Sequence, residues 1–452
     1  MTSFHIPLSQ HLSQKPWYRW YALGVLTVVF ANSHVDRQIM AILLEPIAQD
    51  LGANDTQMGF LIGLTFAVFY ATLGMPIAML ADRTNRRNVI AISTAFFSTM
   101  TILCGYAANF WQLALARIGV GIGEAGTSPP SHSLISDLFP VSLRATAMGI
   151  FGLGVNIGIL IAFMGGGWMA ENLGWRTAFV VVGVPGFFIA ALVYLGTTEP
   201  KRGATDPVRA GPPPEAVPFK SVVGHMWRVL SIRHLVIGQS VSAFVGFGFV
   251  LWMPAFLMRS HDLSGVQVGF AMAILVGIVG GMGSLTSGWL SDRFAKRDER
   301  WRIWIAAIAK VIYIPILAMV FIVEEAWLAV ALYIIPSFLS NFPMAPTFAL
   351  LQSLVKPRMR ALAAAILLFS INMIGMGLGP QLVGILSDLF RPEYGQDSLR
   401  QALLCLTFVN LWCGYHFYKA GTTLREDQAV LFKEEQDDAN QREAAYRDTA
   451  TS

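Results

Sequence analysis

The sequence predicts an all-α membrane protein of about twelve transmembrane helices. Three observations predict it: 54% of the 452 residues are hydrophobic and only 13% charged, the apolar residues come in runs of bilayer length, and basic residues cluster in alternate loops. Soluble domains average about 25% charged residues, and water does not tolerate so much exposed apolar surface. A helix needs about 20 largely apolar residues to cross the hydrocarbon layer, so this length holds about twelve with short connections. A single soluble core is thereby excluded. The net charge of +4 and pI near 9.0 do not point to nucleic acid, because Lys and Arg sit in short loops between apolar runs, where they set topology. Cys104, Cys405 and Cys413 fall within apolar runs without metal-ligand spacing. They read as buried small residues, and no disulfide framework, metal or cofactor is expected.

Met1 to Lys15 are polar, and the apolar stretch that follows is too long for a signal-peptide core, so it reads as a retained first helix. Breaks at charge, Gly, Pro and Asn then divide the first half into runs at 17–49, 55–80, 87–108, 110–137, 143–170 and 175–196. A polar stretch with Pro212, Pro213 and Pro214 follows, and the second half offers 232–259, 265–290, 301–322, 326–354, 359–388 and 399–419. The expected organisation is a six-helix bundle over 1–196, a linker over 197–231, a second bundle over 232–420 and a tail over 421–452. The tail, rich in Glu, Gln, Asp and Ala, reads as a solvated appendage, helical or disordered.

Arg83, Arg86 and Arg87, then Arg144, then Lys201, Arg202 and Arg209, then Arg293, Lys296 and Arg297, then Lys356, Arg358 and Arg360 all fall on one side of this topology. The other side has few basic residues, chiefly Arg176, Arg259, Arg391 and Arg400. The positive-inside rule puts the first set, both termini and the linker in the cytoplasm of a cell whose inner membrane holds the protein.

A repeat organises the chain further. The segment Leu80-Ala81-Asp82-Arg83-Thr84-Asn85-Arg86-Arg87 recurs six spans later as Gly288-Trp289-Leu290-Ser291-Asp292-Arg293-Phe294-Ala295-Lys296-Arg297. A second echo pairs Pro140 to Ala145 with Pro357 to Ala361, and Asn156 with Asn372. Two similarly oriented six-helix halves follow, the arrangement expected of a major facilitator fold.

The residues resemble the loop signature of the major facilitator superfamily, Gly-x-Leu-Ala-Asp-Arg-x-Gly-Arg-Arg, although the first copy has Ala78 and Asn85 where the pattern prefers glycine. Finer features look like the Spinster family. They are His34-Val35-Asp36-Arg37, the Asp82 to Arg87 segment, Arg117-Ile118-Gly119-Val120-Gly121-Ile122-Gly123-Glu124-Ala125 and Ile135-Ser136-Asp137-Leu138-Phe139. That match runs through residues 32 to 160 and suggests a bacterial member. Spinster proteins move lysolipids and sphingolipid-like molecules, so the resemblance implies an amphipathic lipid substrate; the chain is expected to act as a monomer.

Asp36, Arg37, Arg117 and Glu124 lie within predicted spans. Each ionised group there costs about 2.5–3.5 kcal/mol on insertion scales, so it faces a cavity or a partner. Counting about 1.5 Å per residue from the outer helix ends puts Asp36 and Glu124 at one depth, with Arg117 about 10 Å nearer the outside on nearly the same face as Glu124. Gly121 and Gly123 leave room for close helix approach or for substrate. In the superfamily, spans one and four line the central cavity, which implies that these four groups meet. Two carboxylates close together in a buried place suit proton exchange, so Asp36 and Glu124 are the expected proton-coupling residues. Arg37 or Arg117 would attract an anionic headgroup, and the rival reading is a static salt bridge that only neutralises charge.

The loop motifs suggest gating. Asp82 adds nothing to topology but can accept hydrogen bonds from the start of a facing helix, where the dipole favours negative charge. Arg83, Arg86 and Arg87 supply the rest of a breakable latch, with simple topology charge the rival reading for Arg87 and Lys296; Asp292 and Arg293 repeat the latch, and Asp137 and Arg144 flank the next turn of the chain. Gly149, Gly152, Gly154 and Gly158, and in the second half Gly375, Gly377 and Gly379 before Pro380, suit tight packing and bending. Asn156 and Asn372 either line the cavity or satisfy a neighbouring helix. Aromatic residues such as Phe66, Phe69, Tyr70, Phe244, Phe247, Phe249, Trp252 and Phe369 either surround an acyl chain or pack.

Catalysis finds no support: His34 and Asp36 do not share a helix face, and no His-Glu-x-x-His, serine elbow or phosphate-binding glycine loop occurs. A channel would explain buried charge but not the paired loop motifs. The expected function is secondary active transport by alternating access, proton-coupled, of a lipid-like substrate. The alternative is proton-coupled transport of small organic anions or drugs.

Overall fold

The computed structural model describes residues 15–205 and 217–451, and every regular element among them is helical. The N-terminal stretch before Lys15, the linker segment with Arg209 and Pro212 to Pro214, and Ser452 lie outside the described residues. Six long helices form the first half: α1 Pro16–Leu51, α2 Asp55–Arg83, α3 Arg86–Gly105, α4 over 110–138, α5 Val141–Asn172 and α6 Gly174–Gly196. Six more form the second: α7 Leu230–His261, α8 Gly265–Ala295, α9 Trp301–Ile322, α10 Ala326–Ser353, α11 over 357–394 and α12 Ser398–Thr451. The ends agree with the sequence reading to within a few residues, apart from longer stretches at α8, α11 and α12.

The helices start where polar side chains replace missing backbone partners. Asn54 and Gln57 form a capping box at α2, Asn85 caps α3, Asn109 caps α4, and Ser264 with Gln267 repeats the box at α8. Five spans are irregular, α2 being interrupted at Gly63. α4 breaks between Glu124 and Ser128, because Pro129 and Pro130 bring no N–H to the carbonyls before them. α10 breaks between Ser340 and Met344, ahead of its own Pro343 and Pro346, while α8 and α11 carry π-helical turns at Ala273–Val279 and Ile371–Leu378. α12 runs unbroken past 420. Leu424 is buried there, Asp427 accepts a hydrogen bond from Ser231 N at 2.7 Å, and Arg425 pairs with Asp298 at 3.0 Å.

Packing repeats between the halves as the sequence repeat requires: α1 lies on α5 and α3 on α6, while α7 lies on α11 and α9 on α12. Gly154 and Gly158 of α5 sit against the α1 backbone at Thr27 and Ala31, and Gly375 and Gly379 of α11 sit against α7. The halves meet along α2 with α11 and α5 with α8. A hydrophobic core that includes Leu43, Leu61, Phe163, Trp252 and Phe256 spans both halves at the end holding Asp55 and Arg259. At the opposite end it divides into two separate clusters, one per half. Gly59 and Gly63 of α2 touch the backbone of α11 near Gly377 and Pro380, whereas Gly74, Gly149, Gly152 and Gly288, nearer the other end, have open space beside them. The molecule is closed at the Asp55 end and cleft at the end carrying Asp82 and Asp292. Cys104 and Cys413 are buried, but Cys405 is exposed, on the outward face of α12, so apolar sequence context misplaced it.

Candidate transport site

Close helix approach assembles the charged centre. Gly119 and Gly123 of α4 lie against Met100 and Phe97 of α3, and Gly121 lies against the main chain of Phe66 in α2. This face of α4 serves packing, and it draws α2 and α3 in around the charges of α1. Asp36, Arg117 and Glu124 are at most 2% exposed. Arg117 Nη1 donates to Asp36 Oδ2 at 3.0 Å, and Thr101 Oγ1 donates to Asp36 Oδ1 at 2.6 Å. Arg37 Nε donates to Glu124 Oε2 at 2.6 Å.

The structure thus brings all four residues together as two crossed pairs. Arg117, a step along α4 from Glu124, reaches Asp36, and Arg37 spans to Glu124 at the broken end of the first α4 segment. Aromatic faces hold the guanidinium of Arg37, which lies 4.8 Å from the Phe66 ring and 4.4 Å from that of Tyr70. The same Phe66 ring has Arg117 at 5.8 Å. The Arg37 side chain keeps 17% exposure while the other three are shielded, so it is the member of the set that faces the cleft. Glu124 Oε1 and Arg117 Nε are buried without a hydrogen-bond partner among the described residues. His34 bonds the carbonyl of Phe30 in its own helix.

The second half carries no matching carboxylate pair in its middle among the described residues. Lys310 of α9 is 1% exposed instead, with Nζ 3.4 Å from the Ser340 carbonyl at the α10 break. Asn156 packs beside Gly281 at the α5–α8 seam, and Asn372 bonds Leu368 of its own helix. Phe249 and Trp252 are core residues, with Trp252 Nε1 on the Pro380 carbonyl at 2.9 Å, while Phe369 is exposed.

At the cleft end the loop residues divide. Arg86 is buried, donating to Asp137 Oδ2 at 2.6 Å and to Glu199 Oε1 at 2.7 Å. Asp137 also accepts from Gly203 N at 3.0 Å, and Arg144 donates to Thr205 Oγ1 at 2.9 Å. The chain after α6 therefore straps the ends of α3, α4 and α5 together. Asp82 meets no helix start here, contrary to the expected use of its carboxylate: it is exposed, 4.0 Å from Arg202, which bonds the carbonyls of Ala81, Asp82 and Thr84. Arg83 and Arg293 are exposed, and Asp292 stands 4.0 Å from Arg302. The cleft leaves these motifs without a partner in the other half among the described residues.

The closed end holds a clamp that sequence reading did not single out. Arg259 of α7 donates to both oxygens of Asp55 at 2.8 Å each and to Glu45 Oε2 at 2.5 Å. Asp388 of α11 accepts from the backbone N–H groups of Asp55 and Thr56 at 3.2 and 2.7 Å, at the start of α2. Ser387 Oγ adds a bond to Asp55 at 2.6 Å. The signal available was the helix-start pattern Asn54-Asp55 together with Arg259, one of the few arginines on the side poor in basic residues.

Two six-helix halves, joined at one end and parted at the other around a buried charged centre, define a membrane carrier. The profile of the Major Facilitator Superfamily matches residues 25–380, and the chain belongs to that superfamily: it is a multi-pass membrane transporter, not an enzyme. It is 34% identical to an MFS-type efflux pump of Mycolicibacterium smegmatis over 86% of this chain and 90% of the relative. It is 24% identical to the sphingosine-1-phosphate transporter SPNS2 of Danio rerio, over 91% of this chain and 86% of the relative. A crystal structure of a bacterial homologue of the human lysosomal transporter Spinster, inward-facing and unoccupied, matches with a TM-score of 0.85 at 30% identity, covering 91% of this chain and 99% of that one.

Proposed function

We propose that the protein is a proton-coupled secondary transporter of an amphipathic, anionic, lipid-like molecule, working by alternating access as a monomer. The observation that carries this reading is the pair of crossed ion pairs, Asp36–Arg117 and Arg37–Glu124, with Arg37 alone facing the cleft. An anionic headgroup that draws Arg37 away leaves Glu124 a shielded carboxylate with no cation, and a proton then neutralises it. Substrate and proton are coupled because each breaks the same ion pair, the anion by taking Arg37 and the proton by neutralising Glu124. Asp36 has the same relation to Arg117, with Thr101 steadying the carboxyl in either protonation state. Asp82, Arg83, Asp292 and Arg293 are gating residues that engage when the cleft closes, and Arg86, Asp137 and Arg144 anchor them.

The excess of basic residues in the loops around the cleft supports a cytoplasmic assignment for that end, the linker and both termini of a cell-membrane protein. The conformation is then inward-facing, as the Spinster homologue's is described to be. An amphipathic substrate is supported by the transporter SPNS2; a groove of about 330 Å³ between α2, α4 and α11, at the closed end and apart from the charged centre, joins apolar Phe60, Leu64, Phe110 and Trp111 to polar Thr56, Gln57 and Gln381. The efflux-pump relative favours a second reading, export of small organic anions or drugs from the same charged centre.

The test is accumulation in liposomes driven by an imposed pH difference, comparing lysolipids, sphingoid phosphates and sugar acids. Uptake of a lysolipid or sphingoid phosphate that collapses without the pH gradient is expected. Gradient-driven uptake of sugar acids alone would move the assignment to the second reading, and downhill flux insensitive to pH would refute coupling.

A further inference from the structure

A short helix, Phe219–Arg228, leads into α7 at the cleft end, and no role described so far uses it. At 3.6 residues per turn its apolar residues form one continuous face in two parts. Val222 and Met226 are buried in the second-half cluster. Phe219, Val223 and Trp227, the adjoining part of the same face, are 56%, 38% and 64% exposed. The opposite face holds Lys220, Ser221, Gly224, His225 and Arg228. Together with Lys356, from the turn before α11, this face borders a pocket of about 360 Å³ whose lining, among the described residues, includes no carboxylate. His225 Nε2, 3.0 Å from the Leu354 carbonyl, holds the helix against that turn, and Arg233 of α7 lies 5.7 Å from the Trp227 ring.

A helix with half of its apolar face packed on protein and half bare, edged by lysine and arginine, matches a bilayer interface, where tryptophan and basic residues concentrate. Charge complementarity selects the occupant. We infer that this helix lies in the headgroup layer and that its basic pocket binds the phosphodiester of an anionic phospholipid, whose acyl chains cover Phe219, Val223 and Trp227.

The experiment is native mass spectrometry of the full-length protein in detergent, titrated with dioleoylphosphatidylglycerol or dioleoylphosphatidylcholine. Phosphatidylglycerol is expected to be retained preferentially. Attraction of about 1 kcal/mol per basic residue corresponds to about a five-fold loss of affinity for each one removed, so Lys220→Ala with Arg228→Ala should lose roughly 30-fold. Trp227→Gln should weaken both lipids alike. Far-UV circular dichroism, unchanged in the variants, separates this from misfolding. Equal retention of the two lipids, retention of phosphatidylglycerol that survives the double substitution, or displacement of the lipid by millimolar inorganic phosphate would each overturn the proposal.

Discussion

Replacing Arg259 by alanine should open the closed end of the molecule. Arg259 makes three hydrogen bonds to carboxylates of the other half, two to Asp55 and one to Glu45, and its side chain is 12% exposed against 1% for Asp55. Removing one partner of a largely buried pair costs roughly 3–5 kcal/mol, because the remaining charge stays shielded. That cost falls only on the conformation in which the halves touch here. Once they part, water solvates Asp55 and Glu45 and the cost vanishes. The equilibrium between conformations should therefore move toward opening at this end by a factor of roughly 10²–10⁴. Spin labels at Gln49 in α1 and Ser260 in α7, exposed positions or nearly so on opposite sides of the clamp, report the change by double electron–electron resonance. A new, longer distance population should dominate in Arg259→Ala. A distance distribution that matches the parent protein would refute the clamp as the determinant of this conformation.

Asp36→Asn keeps the shape that Thr101 bonds but removes the titrating group, so coupled transport should be lost while the fold persists; unchanged pH-driven uptake would contradict the proton role. Glu124→Gln should likewise abolish pH dependence yet leave substrate-binding affinity within about ten-fold, measured by equilibrium binding, because Arg37 is freed rather than removed. Asp137→Ala leaves buried Arg86 with one carboxylate, that of Glu199, beside Ser133 Oγ and the Pro200 carbonyl, and should cost about 1–3 kcal/mol, read as a lower midpoint of thermal unfolding. The hydrogen bonds from Arg300 hold the Asp298 carboxyl down at about 2, below its ordinary range. Its contact with Arg425 is then complete above the ordinary aspartate range and lost only as pH falls through about 2. A label pair at Glu299 and Val430 should hold one distance from about pH 7 to about pH 4, and Asp298→Asn should lengthen it at neutral pH.

The spans were legible because lipid demands them: apolar length, helix-start asparagines and loop charge each act locally and leave their mark in consecutive residues. Asp36, Arg37, Arg117 and Glu124 were legible for the same reason, since charge within a span is costly wherever it occurs. Their pairing was not. Helical rise alone placed Glu124 level with Asp36, but a guanidinium reaches several ångströms along a helix, and Gly119, Gly121 and Gly123 fix the approach that decides which carboxylate it meets. Asp55, Arg259 and Asp388 escaped notice because charges near helix ends carry little cost and look like ordinary solvated termini. Only the apposition of α2, α7 and α11 makes them a unit. The strap formed by Glu199, Arg202, Gly203 and Thr205 is likewise a tertiary product of a segment whose composition says only loop.

At the end of their seam beside the clamp, α5 and α8 meet backbone to backbone at Gly167, Gly265 and Gly269. A Cβ on Gly167 would strike the Gly265 carbonyl, and one on Gly269 would strike that of Phe163. Main chain against main chain leaves no gap for an ion to slip through, and it hides little greasy area that must be wetted on parting. Impermeability and latching thus belong to different residues, glycines for one and an arginine for the other. A carrier built this way can be loosened at its latch without being made to leak. Gly269→Ala should do the reverse, preserving Arg259 and its partners while letting protons trickle through.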